Sequence, residues 1–185
     1  MSRKAYADCR VTLGFGIPAA IVRPPLVTIY DETTSSATFG VSTSLRRQAQ
    51  TFTATQDSSG VRVSASMFVS TLQTGIYNFE LWTTTAGAPT TLVYTAAQDI
   101  SLLTTTNPLP TRNVVADLPY TLVNGGVYAV VLSYLGANAS IAVQTRNTSA
   151  STYAGGARYF SASGNAPFTG PIANDASWLI EIGAV

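Results

Sequence analysis

"VRVSASMFV", residues Val61–Val69, decides the fold. Val61, Val63, Ala65, Met67 and Val69 fall on one side of an extended chain, and Arg62, Ser64, Ser66 and Phe68 fall on the other. Strict alternation over this length predicts a strand with one buried face, because successive side chains of extended backbone point in opposite directions. The same device recurs further along. "GIYNFELW" (75–82) sets Tyr77, Phe79 and Leu81 against Asn78, Glu80 and Trp82. "NGGVYAVVLSY" (124–134) is apolar in both phases, with Val127, Ala129 and Val131 opposing Tyr128, Val130, Leu132 and Tyr134. That pattern belongs to a strand covered on both sides.

Working outward, short strands are expected in "LVTIY" (26–30), "ATFGV" (37–41), "QAQTFTAT" (48–55), "TLVYT" (91–95) and "NVVADL" (113–118). "SIAVQT" (140–145), "ARYFSA" (157–162) and "SWLIEIGAV" (177–185) complete the set. "QDSSG" and "TTTAGAPT" (83–90) read as turn clusters, and Pro108 and Pro110 as a surface loop. No window carries a helical period beyond two turns. The expected fold is all-β, an antiparallel β-sandwich of jelly-roll type preceded by an extended N-terminal arm. Residues 1–47 are expected to form a docking arm with one or two short strands of its own, and residues 48–185 the jelly-roll β-sandwich domain.

Composition agrees. Charged residues are 10% of the 185, while hydrophobic residues reach 46%. The low charge is therefore not a mark of disorder. There are 26 threonines and 18 serines, and threonine suits a pleated, half-exposed surface. A net charge of +1 gives free copies little mutual repulsion. Nine of the ten basic residues are arginine, the cation favoured at interfaces. Residues 1–47 carry six basic and three acidic residues, net +3, and the remainder four basic and six acidic, net −2. Six dispersed cations make no nucleic-acid footprint, so no specific nucleic acid is expected as partner. An acidic patch on a neighbouring subunit suits them better.

The front of the chain poses its own question. Twelve residues without charge separate Arg10 from Arg23, interrupted by Gly14, Gly16 and Pro18. They are too few and too broken for a membrane helix, and no membrane association or targeting signal is expected. The remaining reading is an arm that finds its burial on another molecule. Arg3, Arg10, Phe15, Ile17, Ile21, Val22 and Arg23 are its expected docking residues.

From Gln48 onward the order "AQTFTA", "GIYNFELW", "DLPYTLVNGGVYAVVLSY", "YAGGARYFSASG", "ASWLIEI" resembles the choice-of-anchor R domain. That jelly roll is similar to carbohydrate-binding-module sandwiches and recurs in bacteriophage virion proteins. Its "L-x-x-G-x-x-Y" turn reads here as Leu122, Gly125 and Tyr128. The resemblance implies a sandwich used for attachment or display, and transfers no catalytic residue.

Chemistry is scarce. The chain has no histidine and one cysteine, Cys9, which removes most metal sites, most general bases and any internal disulfide. A Ser–Lys pair would have to use the sole lysine, Lys4, and that residue lies in the arm. Asp31 and Glu32 are adjacent and so oppose one another on a strand, and no spacing pairs Glu80, Asp117, Asp175 or Glu181. No catalytic residue and no cofactor are expected. A structural calcium ion, were one held, would draw on the loop-proximal carboxylates Asp57, Asp99, Asp117 and Asp175. Asn138-Ala139-Ser140 and Asn147-Thr148-Ser149 match the glycosylation pattern, as chance allows in so Ser/Thr-rich a chain. Among the aromatics, Trp82, Tyr153 and Tyr159 are candidates for stacking against a glycan.

Three functions remain, the third a small hydrolase that the scarcity of general bases disfavours. The first is a non-enzymatic virion structural protein, a capsid decoration or cement protein before a tail or fibre component. It would contact capsid or tail subunits through its arm and form a homo-oligomer, a trimer by expectation. The second is a carbohydrate-binding module that recognises a host-surface glycan.

Overall fold

The structure, a computed structural model, describes residues 25–32, 37–41, 47–71, 74–106, 111–134, 143–147, 153–162, 166–172 and 175–185. Thirteen strands are found among them. They are β1 (Val27–Asp31), β2 (Ala37–Val41), β3 (Arg47–Thr53), β4 (Ser58–Ala65), β5 (Phe68–Val69), β6 (Ile76–Thr85) and β7 (Ala88–Asp99). After a 3-10 turn, Ile100–Leu102, come β8 (Val114–Leu122), β9 (Val127–Ser133), β10 (Val143–Asn147), β11 (Arg158–Ser161), β12 (Thr169–Ile172) and β13 (Trp178–Gly183). No α-helix occurs among the described residues.

The strands build an all-β antiparallel sandwich. One sheet has six strands in the order β12-β11-β3-β9-β6-β7; opposite lie a four-stranded sheet, β1-β13-β4-β8, and a three-stranded one, β2-β10-β5. Tyr77, Phe79 and Leu81 from β6 meet Val61, Val63, Trp178 and Ile180 from the facing sheet in one core cluster. The Phe79 and Trp178 rings touch edge-on across it, 5.9 Å apart. The alternation of Val61–Val69 is realised as predicted, with the five inward residues all buried. The strand itself is broken, however, at Ser66–Met67. There the Asn113 side chain replaces a strand neighbour: its Oδ1 accepts from the Met67 N–H and its Nδ2 donates to the Met67 carbonyl, both at 2.8 Å. The backbone groups are satisfied without a ladder, so pairing stops while the inward pattern continues.

β9 is covered on both faces, as its sequence suggested. Val130 and Leu132 join the main core, whereas Ala129 and Val131 join Ala49 and Tyr159 in a second cluster on the outer face of the six-stranded sheet.

Three expectations are corrected. The boundary at 47/48 does not separate the sheets: β1 pairs with β13 and β2 with β10, and Tyr30 lies in the main core. The turn cluster 83–90 shrinks to Ala86–Gly87, both at positive φ, and β6 and β7 run up to it on either side. Two such residues match strand twist in a tight hairpin, and the flanking threonines are good strand formers. The "TGPI" segment, unread as a strand, is β12. It sits at a sheet edge, where a proline costs no ladder bond.

The docking residues Arg3, Arg10, Phe15, Ile17, Ile21, Val22 and Arg23 lie outside the described residues.

Candidate functional site

The outer face of the six-stranded sheet holds the most distinctive side-chain arrangement. Arg47 opens β3, Trp82 lies on β6 and Phe168 immediately precedes β12. The Trp82 and Phe168 rings stand nearly perpendicular, at 80°, with centroids 5.5 Å apart. The Arg47 guanidinium fills the corner between them, 5.0 Å from the Trp82 centroid and 5.7 Å from that of Phe168. Ala88, Pro89, Thr90, Ala166 and Pro167 complete the walls of a depression of about 520 Å³.

Local chemistry explains how Trp82 is held. Glu80, two residues earlier on the same face, accepts from the Trp82 Nε1–H at 2.7 Å, and its other oxygen accepts from the Ser133 hydroxyl. Glu80 is buried, so both of its bonds orient the indole rather than address solvent. The register slips between Leu81 and Trp82, which pair with Tyr94 and Leu92 respectively. This bulge turns Tyr94 toward the core and leaves Leu92 half-exposed.

Of the three aromatics singled out for stacking, the structure brings together two. Trp82 is half-buried with one ring face under Arg47, and Tyr159 is buried beside it in the outer cluster. Gly170 passes over the Tyr159 ring so closely that a Cβ there would lie 2.7 Å from its Cδ1. Neither ring offers the broad open platform imagined from sequence. Tyr153 belongs elsewhere: its ring packs on Tyr30 at 4.9 Å, next to the main core. Arg47 and Phe168 were not singled out, because nothing local marks two residues that only β-pairing brings beside Trp82.

A second polar cluster lies on the inner side of β3. Gln50 Oε1 accepts from the Ala176 N–H at 3.0 Å, and Gln50 Nε2 donates to Asp175 at 3.3 Å. Asp175 also accepts from the Tyr153 N–H at 3.1 Å, and the Tyr30 hydroxyl donates to the Ala176 carbonyl. Burial pulls the Arg158 guanidinium down to about 10, against the upward pull of Asp175. All of these groups tie the segments around Tyr153 and Asp175 to the sheet, which is a structural task.

The calcium candidates are spoken for separately. Asp57 accepts from the Asn124 N–H, Asp99 from the Ser101 N–H, Asp117 pairs with Arg62 at 2.7 Å, and Asp175 sits in the buried cluster. Among the described residues no three acidic or cysteine side chains converge. A second depression, of about 370 Å³, is lined by Gln56, Asp57, Ser58, Ser59, Thr121, Gly183 and Ala184, with one carboxylate among the described residues. Ser58 and Ser59 there donate to the Gly183 carbonyl, and the Asp57 carboxylate accepts from the Asn124 N–H.

No family model, curated protein or solved structure matches the chain.

Proposed function

We propose that this chain is a non-enzymatic structural protein of a bacteriophage particle, a decoration or cement protein of the capsid before a tail or fibre component. Its sandwich is displayed and its front segment docks on neighbouring subunits. One structural observation carries the reading furthest: β7, twelve residues long with its one proline, Pro89, at the second position, forms an edge of the six-stranded sheet with Asp99 as its only charge. Proteins that stay alone usually blunt such an edge with charge, whereas one that associates leaves its N–H and C=O groups for a neighbour's strand. The apolar stretch before Arg23, the low charge and the order of motifs that resembles choice-of-anchor R support the same reading. Immunogold labelling of purified particles whose genome encodes this chain tests it. Label over the capsid faces is expected; label at the tail moves the protein to the tail or fibre. Particles without label, and without its peptides by mass spectrometry, overturn the proposal.

A second reading, a carbohydrate-binding module, is favoured by the Arg47 corner, where a cation and two rings meet in a depression large enough for a sugar.

A further inference from the structure

Arg47 is 9% exposed, and among the described residues its side chain makes no hydrogen bond and no ion pair. Its contacts are the Trp82 and Phe168 rings. Its guanidinium nitrogens are not among the buried unpartnered atoms, so the five N–H donors face the solvent of the depression rather than a protein acceptor. Here the guanidinium lies against two aromatic rings while it lines the depression. That is the state of a cation prepared for an anion that arrives with the ligand. We infer that the Arg47 corner binds the carboxylate of an acidic sugar, a hexuronic acid residue or a close analogue.

The choice of a carboxylate follows from charge. Among the described residues Arg47 is the only cation lining the depression, and the Glu80 carboxylate lies just beneath the indole, bonded to its N–H. One added negative charge matches Arg47; a dianion such as a phosphate would meet Glu80 without a second cation to balance it. A carboxylate also fits the two-pronged geometry of a guanidinium.

The choice of a sugar over a peptide follows from the walls. Pro89 and Pro167 flank the site and have no N–H to offer a peptide backbone. Strand addition depends on such donors. The same prolines and Phe168 present flat apolar surface to the C–H face of a pyranose ring. At the rim the Thr90 hydroxyl is held only by long contacts of 3.3 and 3.4 Å, which leaves it available to a ring hydroxyl.

This inference rests on the carbohydrate reading alone, and the particle reading stands or falls without it. The test follows the Trp82 indole N–H by nuclear magnetic resonance. Of the two tryptophans, Trp178 is fully buried and serves as an internal control. The full chain is titrated with methyl glucuronide, methyl glucoside, sodium acetate and a triglutamate peptide. Methyl glucuronide is expected to shift the Trp82 signal and to bind about tenfold more tightly than methyl glucoside, as charge-assisted bonds require. Arg47→Met, which keeps the apolar stem, is expected to abolish that preference with the Trp178 signal unmoved. Arg47→Lys, which keeps the charge but loses the fork, is expected to fall between. Equal binding of the two glycosides would overturn the acidic-sugar assignment and keep the carbohydrate reading. No shift with either glycoside overturns both. A response to triglutamate alone would reassign the site to polypeptide, and unchanged binding by Arg47→Met would remove Arg47 from it.

Discussion

Asp175→Ala should be among the most damaging single changes in this protein, and its cost can be worked from the structure. Asp175 is fully buried and accepts bonds from Gln50 and the Tyr153 N–H. Its charge also opposes the desolvation of Arg158, which is 4% exposed. Removing the carboxylate should cost about 2–3 kcal/mol, because its buried donors lose a charged acceptor and Arg158 loses a nearby charge that offsets part of its desolvation. The two orphaned donors fall within the same disruption and do not simply add to it. The exposed pair Arg62–Asp117 provides the contrast, with side chains 36% and 42% accessible. Asp117→Ala should cost no more than about 1 kcal/mol despite its good geometry. Urea unfolding followed by tryptophan fluorescence measures both, since Trp178 reports from the main core. The double variant Arg158→Met with Asp175→Leu should be milder than Asp175→Ala, as it leaves no lone buried charge. If Asp175→Ala lies within 1 kcal/mol of the parent, or no lower than Asp117→Ala, the argument from buried charge fails.

Three further outcomes are expected. Ala86 sits at φ 51° in the β6–β7 hairpin, a conformation costly for a residue with a Cβ, so Ala86→Gly should raise stability by about 1 kcal/mol in the same urea assay. Gln48 is fully buried and among the described residues neither its amide nitrogen nor its oxygen has a partner, so Gln48→Met should stabilise by roughly 1–3 kcal/mol, and a loss of stability would show that the amide is satisfied. Burial holds the phenols of Tyr30, Tyr77 and Tyr153 above their ordinary value, which is about 10 in the unfolded chain. Above that pH the unfolded state therefore binds fewer protons than the folded state, and stability falls as pH rises. Absorbance at the phenolate band should show a fraction of tyrosines ionising only as circular dichroism is lost; one reversible step near pH 10 with the fold intact would contradict it.

The strands were legible wherever burial differs between faces. Val61–Val69 and Tyr77–Leu81 announce their sides because the inward positions are apolar and the outward ones, Phe68 apart, polar, and Tyr128–Leu132 announces a strand covered on both faces because it is apolar in both phases. The ends of elements were less legible, since they depend on partners distant in the chain. Asn113 terminates β4 from another part of the fold, and β12 exists because its backbone meets β11 despite a glycine and a proline. Threonine was ambiguous at 83–90, being at home in both strand and turn. The candidate site was half legible: Trp82 stood out as an aromatic opposite a core face, but its setting did not. Arg47 had counted only as one of the charges in the basic front. Phe168 is brought to it by the pairing of β3 with β11 and of β11 with β12, information that no short window contains.

The central claim is that the front of the chain buries its apolar side chains on another subunit. Light scattering of the full chain beside the triple variant Phe15→Ser, Ile17→Ser, Ile21→Ser tests it most directly. The parent should have the mass of a closed oligomer, three copies by expectation, and the variant the mass of one copy with an unchanged β-sheet spectrum. Equal masses for the two proteins would contradict the account.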